Sequence, residues 1–591
     1  MKAPTSSPVH PTGAWIWVLA TSCVLAFAYA CWDITNFDIW WHLNAGKWIV
    51  ENQAIPRVEP FTHTLAGIPW NDYEWAAQPF LYAVERVGGT AGLVILTGLA
   101  ASGMAACLVL AMRACGAGPA AAGLCTGGVL YVSQVRILPR PEIFSLLSLA
   151  LVVFMVSHWR TKPARLVWVL PLLFLVWGNV HPGVLGGLLL LGCLFAGEAA
   201  SRLSWKPKPD ELRRLKPFVW AATLCGTAVL VNPYGFAAPL ESLHLVSSEF
   251  TRYVREWVPT LDPVNRGKPW VLGWIVWTAF VASSLPLLWR RRRFAEMFIV
   301  VVFFPMALRH VRMIATYAIV TAVAAAIGAT AWAALLRPQR RSGGYRAATA
   351  VGVLLLVNTA LILSGTLYAW QGDPRRVGLG FHRENYPVQA AEFLKSTGIR
   401  GTMYNEYRWG GWLAWTLDDP VFQDGRNLDF EQFMAARSIR DAEPGFQRHI
   451  EGYGVDYFIL NQPQPGRERP ILEYLRREQG WVLVFWDDAA LVYLKRIPRF
   501  EKMIERYGYA CVDPLERRIR VEQVRASLKC ISREFERAKH WSPEAGSVRL
   551  LAGQIYQRAG LRHRALAEYR EGRKIHPELS LWDEKISALG G

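Results

Sequence analysis

The sequence predicts a multi-pass α-helical membrane module of about 11 spans, then a small exported α/β domain and a helical tail with an internal repeat. Three observations carry that reading. Hydrophobic residues make up 52% of the 591 positions and charged residues only 19%, against roughly 25% charge in soluble domains. The charge deficit falls in the first 370 residues, where long apolar runs recur. After Ala369 the hydropathy falls and short strand-like and helix-like patterns mix. A purely soluble enzyme, a disordered chain and a disulfide-rich mini-protein are excluded.

A helix needs about 20 mostly apolar residues to cross a bilayer. Runs of this kind lie at 14–31, 91–113, 118–136, 142–158, 165–179, 184–200, 217–234, 270–289, 295–309, 314–337 and 346–368. The stretch 165–200 is one apolar run broken by Gly178, Asn179, His181, Pro182 and Gly183, which reads as a tight turn or broken helix. No small-residue cleavage pattern follows 14–31, so it reads as a first span and not a signal peptide.

Lys and Arg in short loops set orientation. With the N-terminus cytoplasmic, the inner loops hold Arg113, Arg160, Lys162, Arg165, Arg202, Lys206, Lys208, Arg213, Arg214, Lys216, Arg290 to Arg293, Arg337, Arg340, Arg341 and Arg346. The net charge of +18 is therefore mostly a topology signal, and nucleic acid is not expected as a partner. The loop 32–90 and everything after 370 fall outside, which in a bacterial inner membrane means the periplasm.

Seven of the nine cysteines lie in or beside apolar spans and read as small buried hydrophobes. Cys511 and Cys530 lie in the exported tail, where an oxidising compartment allows a disulfide. No CxxC pair or His/Cys cluster points to zinc.

The sequence divides at 1–370, 371–498 and 499–591. In the middle part Pro387 to Lys395 reads as an amphipathic helix. Gly401 to Tyr407, Trp412 to Leu417, Val421 to Gln423, Val455 to Asn461, Trp481 to Phe485 and Ala489 to Lys495 read as strands. In the last part Gly553, Tyr556, Gly560, Ala565, Tyr569, Gly572 and Pro577 match the small and aromatic positions of a tetratricopeptide (TPR) repeat. Phe535, Ala538 and Pro543 stand one repeat length earlier than Tyr569, Gly572 and Pro577. Such helix pairs commonly display a groove for a protein partner; they can equally cap the α/β domain.

The first outer loop carries the most chemistry. Asp33 and Asp38 follow the first span, and Trp40, Trp41, Trp70 and Trp75 lie near them in sequence. Aromatics at that depth fit an interfacial belt. Acids among them are costly unless paired, solvated or used. Partial burial also raises a carboxylate's pKa toward that of a useful general base.

A first span followed by a long outer loop with an early Asp and a later Glu resembles the GT-C superfamily of membrane glycosyltransferases. That superfamily includes protein O-mannosyltransferases, lipid A aminoarabinose transferases and oligosaccharyltransferases. The block Asp38-Ile-Trp-Trp-His-Leu43 with Pro69-Trp70 and Glu74-Trp75 is also similar to a group of bacterial GT-C-like proteins whose exported tails end in such repeats. The resemblance covers roughly 1–370. It implies a sugar donor on a polyprenyl phosphate or diphosphate, and outer-loop acids that act as base or bind a divalent metal. No cofactor is fixed by it. No adjacent acidic pair stands at Asp38; Asp72-Tyr73-Glu74 has the acid-x-acid form later in the loop.

On this resemblance Asp38 is the expected general base, Glu74 the second acid and Asp33 the reserve. Asp38 as a helix cap is the plain structural alternative. His42 is expected to pair with an acid or the donor phosphate, or to make a structural hydrogen bond. Trp41 is expected beside it in the cavity.

A second group is positive. Arg136, Arg140, Arg309 and Arg312 lie at outer span ends, and His181 lies at the break. Arg at hydrocarbon depth costs roughly 2.5–3.5 kcal/mol, which a lipid phosphate offsets through bidentate pairing. Snorkelling explains one such Arg, but less readily several on the acids' side. Asn179, Asn232 and Tyr234 sit at outer polar breaks and either line the cavity or end helices.

The expected activity is inverting transfer of a sugar from a polyprenyl-phosphate donor to a hydroxyl of a protein, lipid or polysaccharide. The absence of a Gly-rich phosphate loop disfavours a nucleotide-sugar donor. Three alternatives stand beside it. One is a scaffold presenting the exported domains to an envelope assembly. Another is a polyprenyl-lipid transporter, disfavoured because Glu142, Glu198 and Glu296 sit near span ends. The third is an O-antigen-ligase-like enzyme, whose large loop comes later in the chain.

Overall fold

The computed structural model describes residues 12–161, 165–202, 209–336, 344–463, 469–515 and 527–590. Lys162, Lys206, Lys208, Arg337, Arg340 and Arg341, which carry part of the charge bias, lie outside them. The chain forms two compact units. One holds Met1–Arg57 and Asn71–Phe381; the other holds Val58–Trp70 and His382–Gly591.

Each apolar run of the first unit is helical. Six helices are long and apolar enough to cross a membrane: Ala77–Ala114, Glu142–Thr161, Val184–Arg202, Pro269–Arg290, Val311–Leu335 and Tyr345–Leu363. Thr12–Ala28 and Arg165–Val180 are shorter apolar helices. The long helix at 77–114 breaks at Gly89, whose φ of 57° only glycine adopts without strain. In hydrocarbon, helix contact depends on small residues that allow close approach. Gly197 shows this: a Cβ there would lie 2.1 Å from the Ala295 backbone. Apolar side chains such as Leu172, Trp220, Leu272 and Leu354 face outward, as a lipid solvent requires.

Both ends of helix Glu142–Thr161 carry buried ion pairs. Arg160, near its C-terminus, binds Glu198 at 2.6 Å and Glu296 at 2.8 Å. At 1.5 Å per residue it lies about 27 Å from Glu142, close to the thickness of hydrocarbon. The acids of the spans thus sit at helix ends, each answered by guanidinium.

The second unit is built on a four-stranded sheet. Strand β1 (Met403–Asn405) runs parallel to β2 (Tyr457–Asn461), and β4 (Ala490–Lys495) lies antiparallel between β2 and β3 (Trp481–Trp486). Helix Val388–Thr397 matches its expected place. Trp412 to Leu417 is not a strand: it lies in helix Gly410–Leu417. An apolar run that short does not distinguish the two periods, and Gly410 lets the helix start press against the Gln423 carbonyl. Val421 makes a single bridge and no strand.

The tail helices Leu528–Trp541, Gly546–Arg558, Arg562–Ile575 and Leu581–Ser587 continue the same core. Tyr404, Phe458 and Trp481 belong to one buried cluster with Phe535, Tyr556, Tyr569 and Trp582. The small residues of the repeat are helix contacts, Gly553 against the Tyr569 ring and Gly572 against Trp582. Cys511 and Cys530 are disulfide-bonded.

Residues 58–70, from the first outer loop, belong to this second unit. They form a hairpin closed by Val58 and Pro69, and Thr62 pairs parallel to Val421. Thr64 Oγ1 donates to the Phe422 carbonyl at 2.6 Å, and His63 Nε2 to that of Met403 at 2.9 Å. Arg426 pins the hairpin. It pairs with both oxygens of Glu59, binds Asp424 at 2.7 Å and lies 4.8 Å from the Trp70 ring centre. Loop residues 58–70 and the tail therefore fold together as one unit.

Breaking a buried pair costs about 3–5 kcal/mol, because the partner charge is stranded. Arg426→Ala strands Glu59 and Asp424, each under 8% exposed. Its expected outcome is faster tryptic cleavage within 58–70 and a lower melting temperature for the full chain in detergent.

Candidate active site

The first outer loop reaches its site through helix Asp38–Asn52. Asn36 Oδ1 accepts the Asp38 backbone N–H at 2.6 Å, while the N-cap position is Phe37, so Asp38 does not cap the helix. The Asp38 carboxylate turns instead to Arg140, Oδ2 to Nη1 2.9 Å, and its side chain remains 35% exposed. His42 follows one turn later on the same face. The Trp41 ring lies 3.6 Å from that of His42, centre to centre.

Pro139 and Pro141 break the chain between helices Pro119–Ser133 and Glu142–Thr161. The corner carries Arg136 and Arg140, 3% and 7% exposed. Both bind Glu142, a first-turn acid favoured by its helix dipole. Both also bind Glu256, from Arg136 at 2.8 Å and from Arg140 at 3.2 Å. Arg312 lies over the Trp257 ring at 4.4 Å. Burial opposes the charge of Glu256, but Arg136, Arg140 and Arg312 outweigh it and hold its carboxyl well below the usual range. Burial likewise opposes the charge of Arg140, and Glu256, Glu142 and Asp38 overcome it. Burial raises the pKa of Asp38; Arg140 opposes the rise and Glu256 adds to it.

Glu74 stands beside this group, and among the described residues no guanidinium forms an ion pair with it. It sits in the turn before helix Ala77–Ala114, where Asp72 Oδ1 accepts from Gln78 Nε2 at 2.7 Å. Its Oε2 lies 3.6 Å from His42 Nδ1 and its Oε1 3.4 Å from His181 Nε2. Burial, followed by the Asp72 carboxylate, pushes its pKa up to about 8. His181 precedes Pro182, which keeps its backbone extended at φ −165°. Burial lowers its pKa to about 3, so the ring is neutral.

The other expected residues divide. Asn179 and Tyr234 hold the 72–76 turn: Asn179 Oδ1 accepts from Trp75 Nε1 at 3.0 Å, and the Tyr234 hydroxyl accepts the Asp72 N–H at 3.0 Å. Asn232 closes its own turn through the Val229 and Gly235 carbonyls. Asp33 lies outside the cluster and accepts the Gly380 N–H at 3.1 Å. Arg309 is exposed and makes no ion pair among the described residues. Glu142, Glu256 and Ser145 were not among the expected site residues. Glu142 was recognisable only as an acid at a span end, and Glu256 only as one of a run of charges.

The acids do not form a metal-binding set. Asp38, Glu142 and Glu256 face guanidinium. Among the described residues, the one close group of potential donors is Cys511, Cys530 and Glu534, and its two sulfurs are bonded to each other.

No family model and no curated relative matches the sequence. Solved structures do resemble the fold. The Archaeoglobus fulgidus oligosaccharyltransferase AglB, in complex with an inhibitory peptide and a dolichol-phosphate, is similar at 11% identity and TM-score 0.54, over 92% of this chain and 85% of that one. The A. fulgidus oligosaccharyltransferase tethered with an acceptor peptide is similar at 12% and TM-score 0.53, over 82% and 74%. ArnT from Cupriavidus metallidurans bound to undecaprenyl phosphate gives 13% and 0.45, over 82% and 98%. The first two establish a fold shared with these oligosaccharyltransferases.

A carboxyl raised from its usual 4.5 to about 8 destabilises the folded chain as pH rises between those values. In Glu74→Gln that loss disappears. The variant's melting temperature should match the wild type near pH 4.5, exceed it increasingly above, and level off past about pH 8. The gap has a ceiling of about 5 kcal/mol, checked by melting in detergent across pH.

Proposed function

We propose that the chain is a membrane glycosyltransferase that moves a sugar from a polyprenyl-phosphate donor to an acceptor hydroxyl outside the cytoplasm, with inversion. The observation that carries the reading is the part-exposed Asp38 carboxylate on a buried arginine pair, in a fold shared with an oligosaccharyltransferase. The dolichol-phosphate in that relative's structure supports a lipid-phosphate donor.

The ion pairs suggest how binding readies the base. Arg140 serves Asp38, Glu142 and Glu256 at rest. An arriving phosphate competes for Arg136 and Arg140, with Arg312 adding charge nearby. Asp38 then loses its cationic partner and becomes more basic. The acceptor hydroxyl attacks the anomeric carbon from the face opposite the phosphate, and Asp38 takes its proton. The C–O bond to phosphate breaks and its electron pair stays on phosphate, where the guanidinium groups stabilise it. His42 and Trp41 stand one turn or less from Asp38 and shape the acceptor's approach; Asn179, Asn232 and Tyr234 support the loops. Asp33 and Arg309 take no part in this reading. The helical tail, sharing a core with the α/β sheet, braces that domain, and its TPR-like pairs offer a surface to a protein partner.

Asp38→Asn keeps shape and removes the base. Expected is at least a ~100-fold loss of transfer with normal abundance, read by mass spectrometry of glycoproteins, lipids and surface polysaccharide in a complemented deletion strain. Unchanged glycans in the deletion strain itself would remove the enzyme reading and favour a scaffold.

A further inference from the structure

The break at 178–183 builds a device that the preceding scheme does not use. His181 Nδ1 accepts the Gly183 N–H at 2.9 Å and faces Ser145 Oγ at 2.8 Å. Ser145 Oγ in turn accepts the Trp177 indole N–H at 2.6 Å. Ser145 and Trp177 are 3% and 1% exposed, so water does not compete. Only glycine fits at 183: a Cβ there would lie 2.5 Å from Ser145 Oγ and 2.9 Å from His181 Nδ1. An Nδ1 that accepts from Gly183 carries no proton. The ring proton is therefore on Nε2, which points at Glu74 Oε1 3.4 Å away.

That fixes Glu74 as well. Its Oε1 lies 3.4 Å from the protonated Nε2 of His181, which leaves Oε2, on the side of His42, as the better place for a proton on the carboxyl. The charged and titratable groups around it are Asp72 on its own turn, Asp38 and His42 on helix Asp38–Asn52, His181 at the break, and Arg140 and Arg312 from their corners. Arg140 answers other carboxylates at closer range. Nothing in that shell supplies Glu74 with a dedicated counter-charge.

We propose that a tautomer-locked His181 orients the buried Glu74 carboxyl with its proton on Oε2, and that Glu74 donates that proton to the departing lipid phosphate. This rests on the glycosyltransferase reading. As the anomeric C–O bond breaks and its electron pair moves to the phosphate oxygen, the proton passes from Oε2 to a phosphate oxygen, leaving glutamate. Asp38 meanwhile holds the acceptor's proton, and Glu74, 16% exposed, recovers its own from water. A neutral acid also adds no repulsion to an incoming phosphate. Glu74 is the catalytic residue here; His181 and Ser145 position it.

The test uses the full chain in nanodiscs. Infrared spectroscopy should show a protonated-carboxyl band at pH 7 that fades above about pH 8 and is missing in Glu74→Gln. Its absence at pH 7 overturns the proposal without touching the transferase reading. Selective ¹⁵N-histidine NMR should show one histidine, lost in His181→Gln, locked as the Nε2–H tautomer from pH 6 to 8; a mixed or charged ring overturns it. In transfer assays Ser145→Ala should lower the upper pH limb with little change in KM, and Ser145→Thr should restore it. Identical pH profiles for wild type and Ser145→Ala overturn the positioning role. Loss of the transferase reading instead appears as no transfer by wild type at any pH, with the infrared band still present.

Discussion

Buried guanidinium that must be answered by carboxylate is the constraint on which the site depends. Arg136 and Arg140 are almost wholly removed from water. Each needs an anion, and Glu142 and Glu256 come from separate stretches of chain to supply it. Asp38 joins from a third. Satisfying the charges therefore fixes the start of a span, the loop near Trp257 and the first outer helix together. Removing any one member strands its neighbours, and the penalty for that exceeds what the intact pair contributes. Such a network stabilises weakly but orders strongly.

Legibility in the sequence followed the solvent. The apolar runs were visible because hydrocarbon tolerates little else, and each became a helix in the structure. Asp38, Glu74, Arg136, Arg140 and His181 stood out because charge or a proline break there is costly. Glu142 and Glu256 were harder to see: an acid at a span end looks alike whether it caps a helix or answers two arginines, and Glu256 lies 116 positions from Arg140. Ser145 gave no signal, since a serine in a span commonly bonds its own helix. Arg309 matched Arg312 in sequence yet is exposed, because two residues and a helix end turn the pair to different sides. In the second unit, Trp412 to Leu417 was too short a run to show its period, whereas the segments around Phe458 and Tyr493 lie in true strands.

The composition shift after Ala369 lies close to the point, after Phe381, where the chain passes from one compact unit to the other. The reassignment of 58–70 was not legible in the sequence. Glu59 reads as an ordinary loop acid, and its partner Arg426 lies 367 positions away. Pattern along a chain carries little information about pairs at that distance.

That hairpin also bears on biosynthesis. The piece containing Glu59 leaves the ribosome early, while Val421, Phe422 and Arg426 come hundreds of residues later. At about 5–20 residues per second the interval is roughly 20–70 s. Through that wait a small apolar ribbon with Phe61 and Trp70 stays without its docking surface, a natural client for chaperones. Completion of the second unit thus reports that the helices between 71 and 381 have already been made.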